Sequence, residues 1–377
     1  MNMKKKLLIT LSFLIIATIA ISTISMVSAK DITINNNTPG GLKQSIAQAK
    51  NGDIISLQKG YYTGENNTNL IIKKNITIQG LDSNVLLQNK ENQIFEIEKA
   101  KVSLKNLKIK GSSSEHGDMG IGLIYLEKSN LTVSNCSFSD IIDCYTGAIS
   151  SYSSNLVVNK CNFTKIIFAF ELTDGKCKVS KSIFKNTETE AIISWKCNLT
   201  VSSCVFTKNN YRAISVVYGR LSVTGSTFKN NKAEFGPGIS SDSCIVTVSK
   251  STFKNNLATF YGGAIDSMDS FLTVKKSTFK NNHAKYDGGA IRTYFRKDSK
   301  VYFKSVKAIV SGSTFSNNKA NKKGGAISNT NMPFKILDSK FTKNIAGKKY
   351  NAIAKDNKSK VTKKNVKISP KDGVKAK

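Results

Sequence analysis

The chain is 377 residues long and carries 57 Lys and Arg against 25 Asp and Glu, a formal net charge of +32. Two histidines and seven cysteines are too few for a histidine-rich metal site, or for a disulfide scaffold at this length. So large a charge says nothing of fold, but it biases the molecule towards anionic partners, nucleic acid or acidic polymer, and against self-association.

Met1 to Lys6 includes three lysines, an apolar run extends from Leu7 to about Ile24, and Val27-Ser28-Ala29 has the small-residue pattern of a cleavage site. Residues 1–29 are therefore predicted to be a secretory signal peptide. An uncleaved signal anchor is the alternative, because the apolar run approaches the length of a membrane span. Both readings put the rest of the chain outside the cytoplasm, secreted or at the cell surface. Cleavage would leave no stable membrane span, and export favours acidic cell-surface or cell-wall glycans over nucleic acid as partners.

Residues 30–68 are predicted to form an N-terminal cap with a short helix. Thr38 is placed to cap it, Pro39 at its first position, and Leu42, Ile46 and Ala49 share one face. Such a helix would cover an open sheet edge. Strand patterns then start at "NLIIKKNITIQG" (69–80) and "KVSLKNLKIKG" (101–111). The "EHGD" of 115–118 holds a His-Gly pair like that of pectin hydrolases, without the Asp pairs that such chemistry also needs.

From residue 131 the chain repeats itself. Nine segments, from "LTVSNCSF" (131–138) to "FKILDSKF" (334–341), align on Phe138, Phe163, Phe184, Phe206, Phe228, Phe253, Phe279, Phe315 and Phe341. Most spacings lie between 21 and 26 residues; the single longer one carries extra residues from about Arg296 to Lys307, the mark of a surface loop. Within a unit, Leu131 and Val133 alternate as in a strand, and a phase shift at Ser134-Asn135 precedes Cys136 and Phe138. One bend there keeps all four apolar side chains inward. A second corner follows at Asn230-Asn231 and its equivalents, since Asn tolerates a left-handed backbone. The turn glycines Gly262, Gly263, Gly288, Gly289, Gly324 and Gly325 open a third short strand.

Three strands in so few residues bury no core alone, but stacked about 4.8 Å apart they form columns of like residues. The expected fold is all-β, a single-stranded parallel β-helix (solenoid) over residues 69–355, with about eleven coils and a length of about 50 Å. Residues 356–377 read as a basic, disordered tail. Cys136, Cys161 and Cys204 share a column with serines such as Ser226 and Ser251, and Cys136 and Cys161 are expected to be free buried thiols, because a disulfide prefers a shorter Cβ separation than a column gives.

The recurring Phe-x-x-Asn (Phe228 to Asn231, Phe253 to Asn256, Phe279 to Asn282, Phe315 to Asn318) together with Gly-Gly-Ala-Ile resembles the repeat of the chlamydial polymorphic outer-membrane proteins. It is also similar to the adhesin-like surface proteins of methanogenic archaea, which the Lys- and Asn-rich composition and the opening "GLKQSIAQAKNGDIISLQKGYYTG" favour. The resemblance implies a right-handed β-helix on a cell surface and a role in adhesion. The membrane β-barrel of the chlamydial proteins has no counterpart in this sequence.

Candidate binding residues follow from the columns. Lys229, Lys254 and Lys280 follow the phenylalanine in three successive coils and Lys250 and Lys276 precede it, giving either a solvated face or a rail for an anionic polymer. Phe235, Phe260, Tyr261 and Tyr286 precede the glycines and are candidates for stacking on sugar rings. No column supplies the paired carboxylates of glycoside hydrolysis. The nearest acids are Asp242, Asp266 and Asp269, with Asp266 to Arg292 read as a surface ion pair worth about 0–1 kcal/mol. His283 reads as a solvated corner residue, no metal or cofactor is indicated, and sequons such as Asn66, Asn75, Asn130, Asn162 and Asn198 are expected by chance. The expected function is a non-enzymatic, adhesin-like protein that binds anionic or glycan surfaces. A lyase or glycoside hydrolase acting on acidic polysaccharide is the alternative.

Overall fold

Each phenylalanine-anchored unit resolves into two strands joined by one residue in the left-handed region. In the first, Asn130–Ser134 and Ser137–Ile141 meet at Asn135, whose φ is 53°. That bend reverses the side-chain phase, so Leu131, Val133, Cys136 and Phe138 are all buried. The computed structural model describes residues 28–89, 93–111, 122–142, 147–296, 305–347, 351–356 and 358–369. Most of the predicted signal peptide, the His-Gly motif at 116–117, Cys144, most of the loop after Arg296 and the last residues of the chain lie outside them.

Every pairing between strands is parallel and joins one coil to the next. Three sheets run the length of the solenoid: sheet A with 14 strands, sheet B with 13 and sheet C with 12. A coil passes through sheet C, then A, then B, as in Ile239–Asp242, Ile245–Ser249 and Thr252–Lys254. At about 4.8 Å per rung the longest sheet spans about 60 Å. No helix among the described residues is long and apolar enough to cross a membrane.

The interior is built from files. The nine phenylalanines stack in one line, with neighbouring ring centroids 4.6–5.0 Å apart and planes within 11°. The same file continues through Ile109, Leu87 and Tyr62 at one end and Ile368 at the other. These rungs lack the phenylalanine and extend the file beyond the nine phenylalanine-anchored coils. Sheet A already includes Asp31–Ile34 and Ile54–Leu57, so the stacking starts well before residue 69.

The chain end also differs from expectation. Val361–Lys364 and Lys367–Ile368 pair with the preceding rung, so residues expected to be a disordered tail add another layer to sheets A and B. The helix spans Gly41–Gln48 and buries Leu42, Ile46 and the following Ala49 as anticipated, but Thr38 does not cap it. Gly40 takes a left-handed φ of 70° and pushes Thr38 and Pro39 out of the helix. Thr38 Oγ1 instead accepts the Asn35 N–H (3.0 Å), and Asn67 Oδ1 accepts the Leu42 N–H (3.1 Å). At the other end Lys74 Nζ donates to the carbonyls of Ile46, Ala47 and Ala49, satisfying groups that a helix leaves open.

The corners hold two polar ladders. In the serine column each hydroxyl donates to the carbonyl two residues back and accepts the N–H of the preceding coil: Ser251 Oγ donates to Ser249 O (2.8 Å) and accepts from Ser226 N (3.2 Å). Cys136, Cys161 and Cys204 occupy this column, and the six described cysteines are free and buried. At the second corner the paired asparagines divide the work. Asn230, Asn255, Asn281 and Asn317 take the left-handed turn, with φ of 53–57°. Asn231, Asn256, Asn282 and Asn318 point inward and bond to one another rung by rung.

The coils from Lys232 onward also contain a fourth, five-stranded sheet D, where the sequence suggested three strands per coil. Its strands, such as Lys232–Phe235 and Leu257–Tyr261, occupy the extra residues that separate coils of 25 or 26 residues from those of 21 or 22. Ala233, Ala258, Ala284, Ala320 and Ala346 form their buried file. Sheet D then meets the glycine corner. Gly262, Gly288 and Gly324 have φ of 60–70°, while a Cβ on Gly263 or Gly289 would lie 2.1 Å from the carbonyl oxygen of the next coil.

Candidate functional site

The lysines form two separate files. Lys229, Lys254 and Lys280 sit in mutual register at the ends of their sheet B strands. Lys250 and Lys276 are the left-handed residues of the bend between sheets A and B, with φ of 49° and 48°, in the file that elsewhere holds Asn135, Lys160 and Ser203. None of the five has a carboxylate partner among the described residues. Like charges one rung apart repel by only about 1 kcal/mol in water, so the stacked core tolerates them. The result is a surface with uncompensated positive charge repeating along the rod.

The four aromatic candidates lie beyond the asparagine corner, at the end of sheet D. They stack on one another: Phe235 on Phe260 (5.5 Å), Phe260 on Tyr286 (5.6 Å), with Tyr261 between Phe235 and Tyr286 at 6.0 and 5.4 Å. Lys322 Nζ covers Tyr286 at 4.3 Å and the Arg292 guanidinium covers Tyr261 at 4.1 Å. A sugar platform needs an open ring face, and here the faces are turned to one another and to cations. Phe260 remains 37% exposed, and the ladder stands beside the glycine corner.

Asp266 and Arg292 occupy one column of sheet C, one rung apart. The expectation of an exposed pair fails: Asp266 is 5% exposed and accepts the Nε and Nη2 of Arg292 in a two-pronged contact, the second bond 2.8 Å long. The Gly-Gly corner and the rings of Tyr261 and Phe235 exclude water from it. Burial pushes the Asp266 carboxyl above its ordinary range, while the Arg292 charge opposes the shift. Arg296 clamps two further acids. Its Nη2 lies 2.9 Å from Asp242 Oδ1, its Nε bonds Asp269 Oδ2, and its N–H donates to Asp269 Oδ1 at 2.7 Å.

Asp242, Asp266 and Asp269 are thus each held by a guanidinium. Among the described residues no three His, Cys, Asp or Glu side chains are grouped to hold a metal. His283 lies between Leu257 and Lys319 in its file, and its Nε2 is 3.1 Å from Asn321 Oδ1. Sequence reasoning missed the pair of Arg212 with Glu190 (2.9 Å), 22 residues apart. That separation is one coil length, and testing opposite charges at the coil spacing would have found it.

Comparison with known proteins bears on the scaffold. The Chlamydia polymorphic membrane protein repeat matches at residues 276–294 and 312–330. Those stretches contain Phe279, Asn282, Gly288 and Gly289 and their counterparts Phe315, Asn318, Gly324 and Gly325, which are core, ladder and corner positions. No curated protein matches the sequence. The structure is similar to a mannuronic acid specific polysaccharide family 6 lyase from human gut microbiota (TM-score 0.53, 12% identity, 83% of each chain covered). It is also similar to the catalytic domain of a GH87 alpha-1,3-glucanase in complex with nigerose (0.53, 11%, 88% of this chain and 68% of that one). A PL6 alginate lyase in complex with a trisaccharide gives 0.50 at 13% identity, over 91% of this chain and 85% of that one. At these identities the likeness concerns the fold.

Proposed function

We propose that the chain is an adhesin-like, non-enzymatic protein of the cell surface or the secreted fraction, which holds anionic glycans through repeated weak contacts. The observation that carries this reading is the pair of unpaired lysine files, Lys229–Lys254–Lys280 and Lys250–Lys276, repeating at rung spacing on a rigid rod. Sites that are weak singly add up when one polymer engages several of them. The polymorphic membrane protein repeat supports a surface role, as does the predicted signal peptide.

The test is binding of the full chain to immobilised acidic polysaccharide across a salt series. Retention falls steeply with ionic strength, because exposed charges are screened within about 10 Å at 0.1 M salt. Replacing Lys229, Lys254 and Lys280 together by alanine weakens it at low salt without changing the fold. Binding indifferent to salt and to this triple replacement refutes the reading. New reducing or unsaturated ends in the polysaccharide refute the non-enzymatic part and establish a lyase or hydrolase instead.

A further inference from the structure

Among the described residues, thirteen bends lead from sheet A to sheet B, and twelve of them are two residues long, as at Asn106-Leu107, Asn135-Cys136 and Lys160-Cys161. The exception lies between Ile76–Gly80 and Val85–Gln88, where Leu81, Asp82, Ser83 and Asn84 turn the same corner with four residues. This longer bend is tied down. Asp82 Oδ1 accepts the Asn84 N–H (2.5 Å), the Leu81 N–H donates to Leu57 O (2.9 Å), and Asn84 O accepts the Gly60 N–H (3.3 Å). Both of its ends are therefore held by the preceding coil. At its base, Gly80 lets the next coil approach: a Cβ there would lie 2.3 Å from Asn106 O.

The overhanging bend closes one end of a cleft of about 320 Å³ that runs over the corner of the next three coils, a volume in the range of small-ligand sites. Leu81, Asp82 and Ser83 wall it, and Asn106, Asn135 and Lys160 lie along its floor with Lys108 and Asn162 beside them. The floor amides are oriented: Asn135 Nδ2 donates to Asn106 Oδ1 (2.9 Å), and Asn106 Nδ2 to Gly80 O (3.4 Å). Lys108 Nζ donates to Asn84 Oδ1 (3.2 Å), and neither Lys108 nor Lys160 has a carboxylate partner among the described residues. Two ammonium groups thus face one carboxylate, Asp82, and one of its oxygens is taken by its own bend. Leu81, 55% exposed, adds an apolar surface beside these polar groups.

We propose that this cleft is a discrete binding site for a short acidic saccharide. A uronate unit sets its carboxylate against Lys108 and Lys160, its hydroxyls on the asparagine row and the free oxygen of Asp82, and a ring face on Leu81. The lysine files attract any polyanion, whereas oriented amides and a wall select where the hydroxyls lie, so the cleft discriminates among sugars of equal charge. In the bend file that runs through Lys160, Lys181, Ser203 and Gly225, Lys250 lies four rungs from Lys160, about 19 Å away. The cleft and the lysine files can therefore be tested apart.

The full chain is titrated calorimetrically with trisaccharides of galacturonate, mannuronate, guluronate and glucuronate, with maltotriose as the neutral control and citrate as the control without a sugar. At least one uronate trisaccharide should saturate one site per chain, and neither control should match it. Replacing Leu81–Asn84 by Asn-Leu, the two-residue bend of the next coil, should weaken that binding at least tenfold. Lys160→Asn, which places at this left-handed position (φ 54°) the residue that stands at 106 and 135, should weaken it about tenfold, with urea denaturation unchanged. The triple lysine-to-alanine variant at 229, 254 and 280 should bind the trisaccharide as the parent does, whatever it does to polysaccharide, so the two sites fail or survive separately. No saturable binding of any uronate trisaccharide overturns the proposal, as does binding that both cleft variants leave unchanged. Equal binding of citrate would make the cleft an unselective anion site and overturn it too.

Discussion

Asn255 and Asn256 are adjacent and chemically identical, yet their replacement by alanine should have very different consequences. Asn256 is 1% exposed; its Oδ1 accepts from Asn231 N (3.1 Å) and Asn231 Nδ2 (3.0 Å), and its Nδ2 donates to Phe228 O (3.0 Å) and Asn282 Oδ1 (2.9 Å). Asn256→Ala strips side-chain partners from two backbone groups, Asn231 N–H and Phe228 C=O, in a corner with no room for bulk water. At about 1–3 kcal/mol for each buried group left unsatisfied, the variant loses about 2–6 kcal/mol. Asn255 is exposed with φ 55° and its Oδ1 accepts one exposed hydrogen bond from Asn281 Nδ2 (3.2 Å), so Asn255→Ala costs mainly the left-handed penalty of about 1–2 kcal/mol, which Asn255→Gly removes. Solenoids can open rung by rung, so the assay is amide hydrogen exchange at Asn231, supported by urea denaturation. Exchange at Asn231 should accelerate by orders of magnitude in Asn256→Ala alone. Equal effects from the two alanine variants would refute the account of the corner.

The phenylalanine file predicts that Phe253→Ala costs about 3–5 kcal/mol and Phe253→Leu clearly less, measured by chemical denaturation, since leucine refills part of the cavity. Asp53 accepts the N–H groups of Lys30 (2.9 Å) and Lys50 (2.8 Å), and these bonds hold its pKa below the ordinary 3.8. Its stabilisation is therefore complete above that value and lost as pH falls through the lower folded value, so melting curves of Asp53→Asn and the parent should differ at neutral pH and converge in acid. Burial raises the Cys204 and Cys244 thiols to about 11. With all six described cysteines buried, native protein should leave those six unreacted with an aromatic disulfide reagent at pH 8, and all seven thiols of the chain should titrate in denaturant. Rapid native reaction at Cys204 or Cys244 would contradict the packing.

The features legible in the sequence were those that repeat. Phe228, Phe253 and Phe279 recur because a β-solenoid places equal positions over one another, and any other side chain there leaves a void or a clash. The asparagine pair was legible as a turn, but not its division of labour, because what separates the two is burial: the left-handed residue faces solvent while the second turns inward and bonds to its counterpart one coil away. Thr38 misled because capping was judged from local order alone, whereas the left-handed Gly40 moved the helix start and Asn67, 25 residues away from Leu42, supplied the acceptor.

Sequence alone therefore determined the architecture: strand phase, bend positions, core files and the lysine columns all follow from periodicity, a property of the chain read along its length. Only the tertiary structure decided what the charges and rings do, because that depends on neighbours one coil away and on the water that packing excludes. Asp266 and Arg292 read as an exposed pair until the glycine corner and Tyr261 closed over them. The rings of Phe235, Phe260, Tyr261 and Tyr286 read as candidates for stacking on sugars, and only the structure showed that they stack on one another.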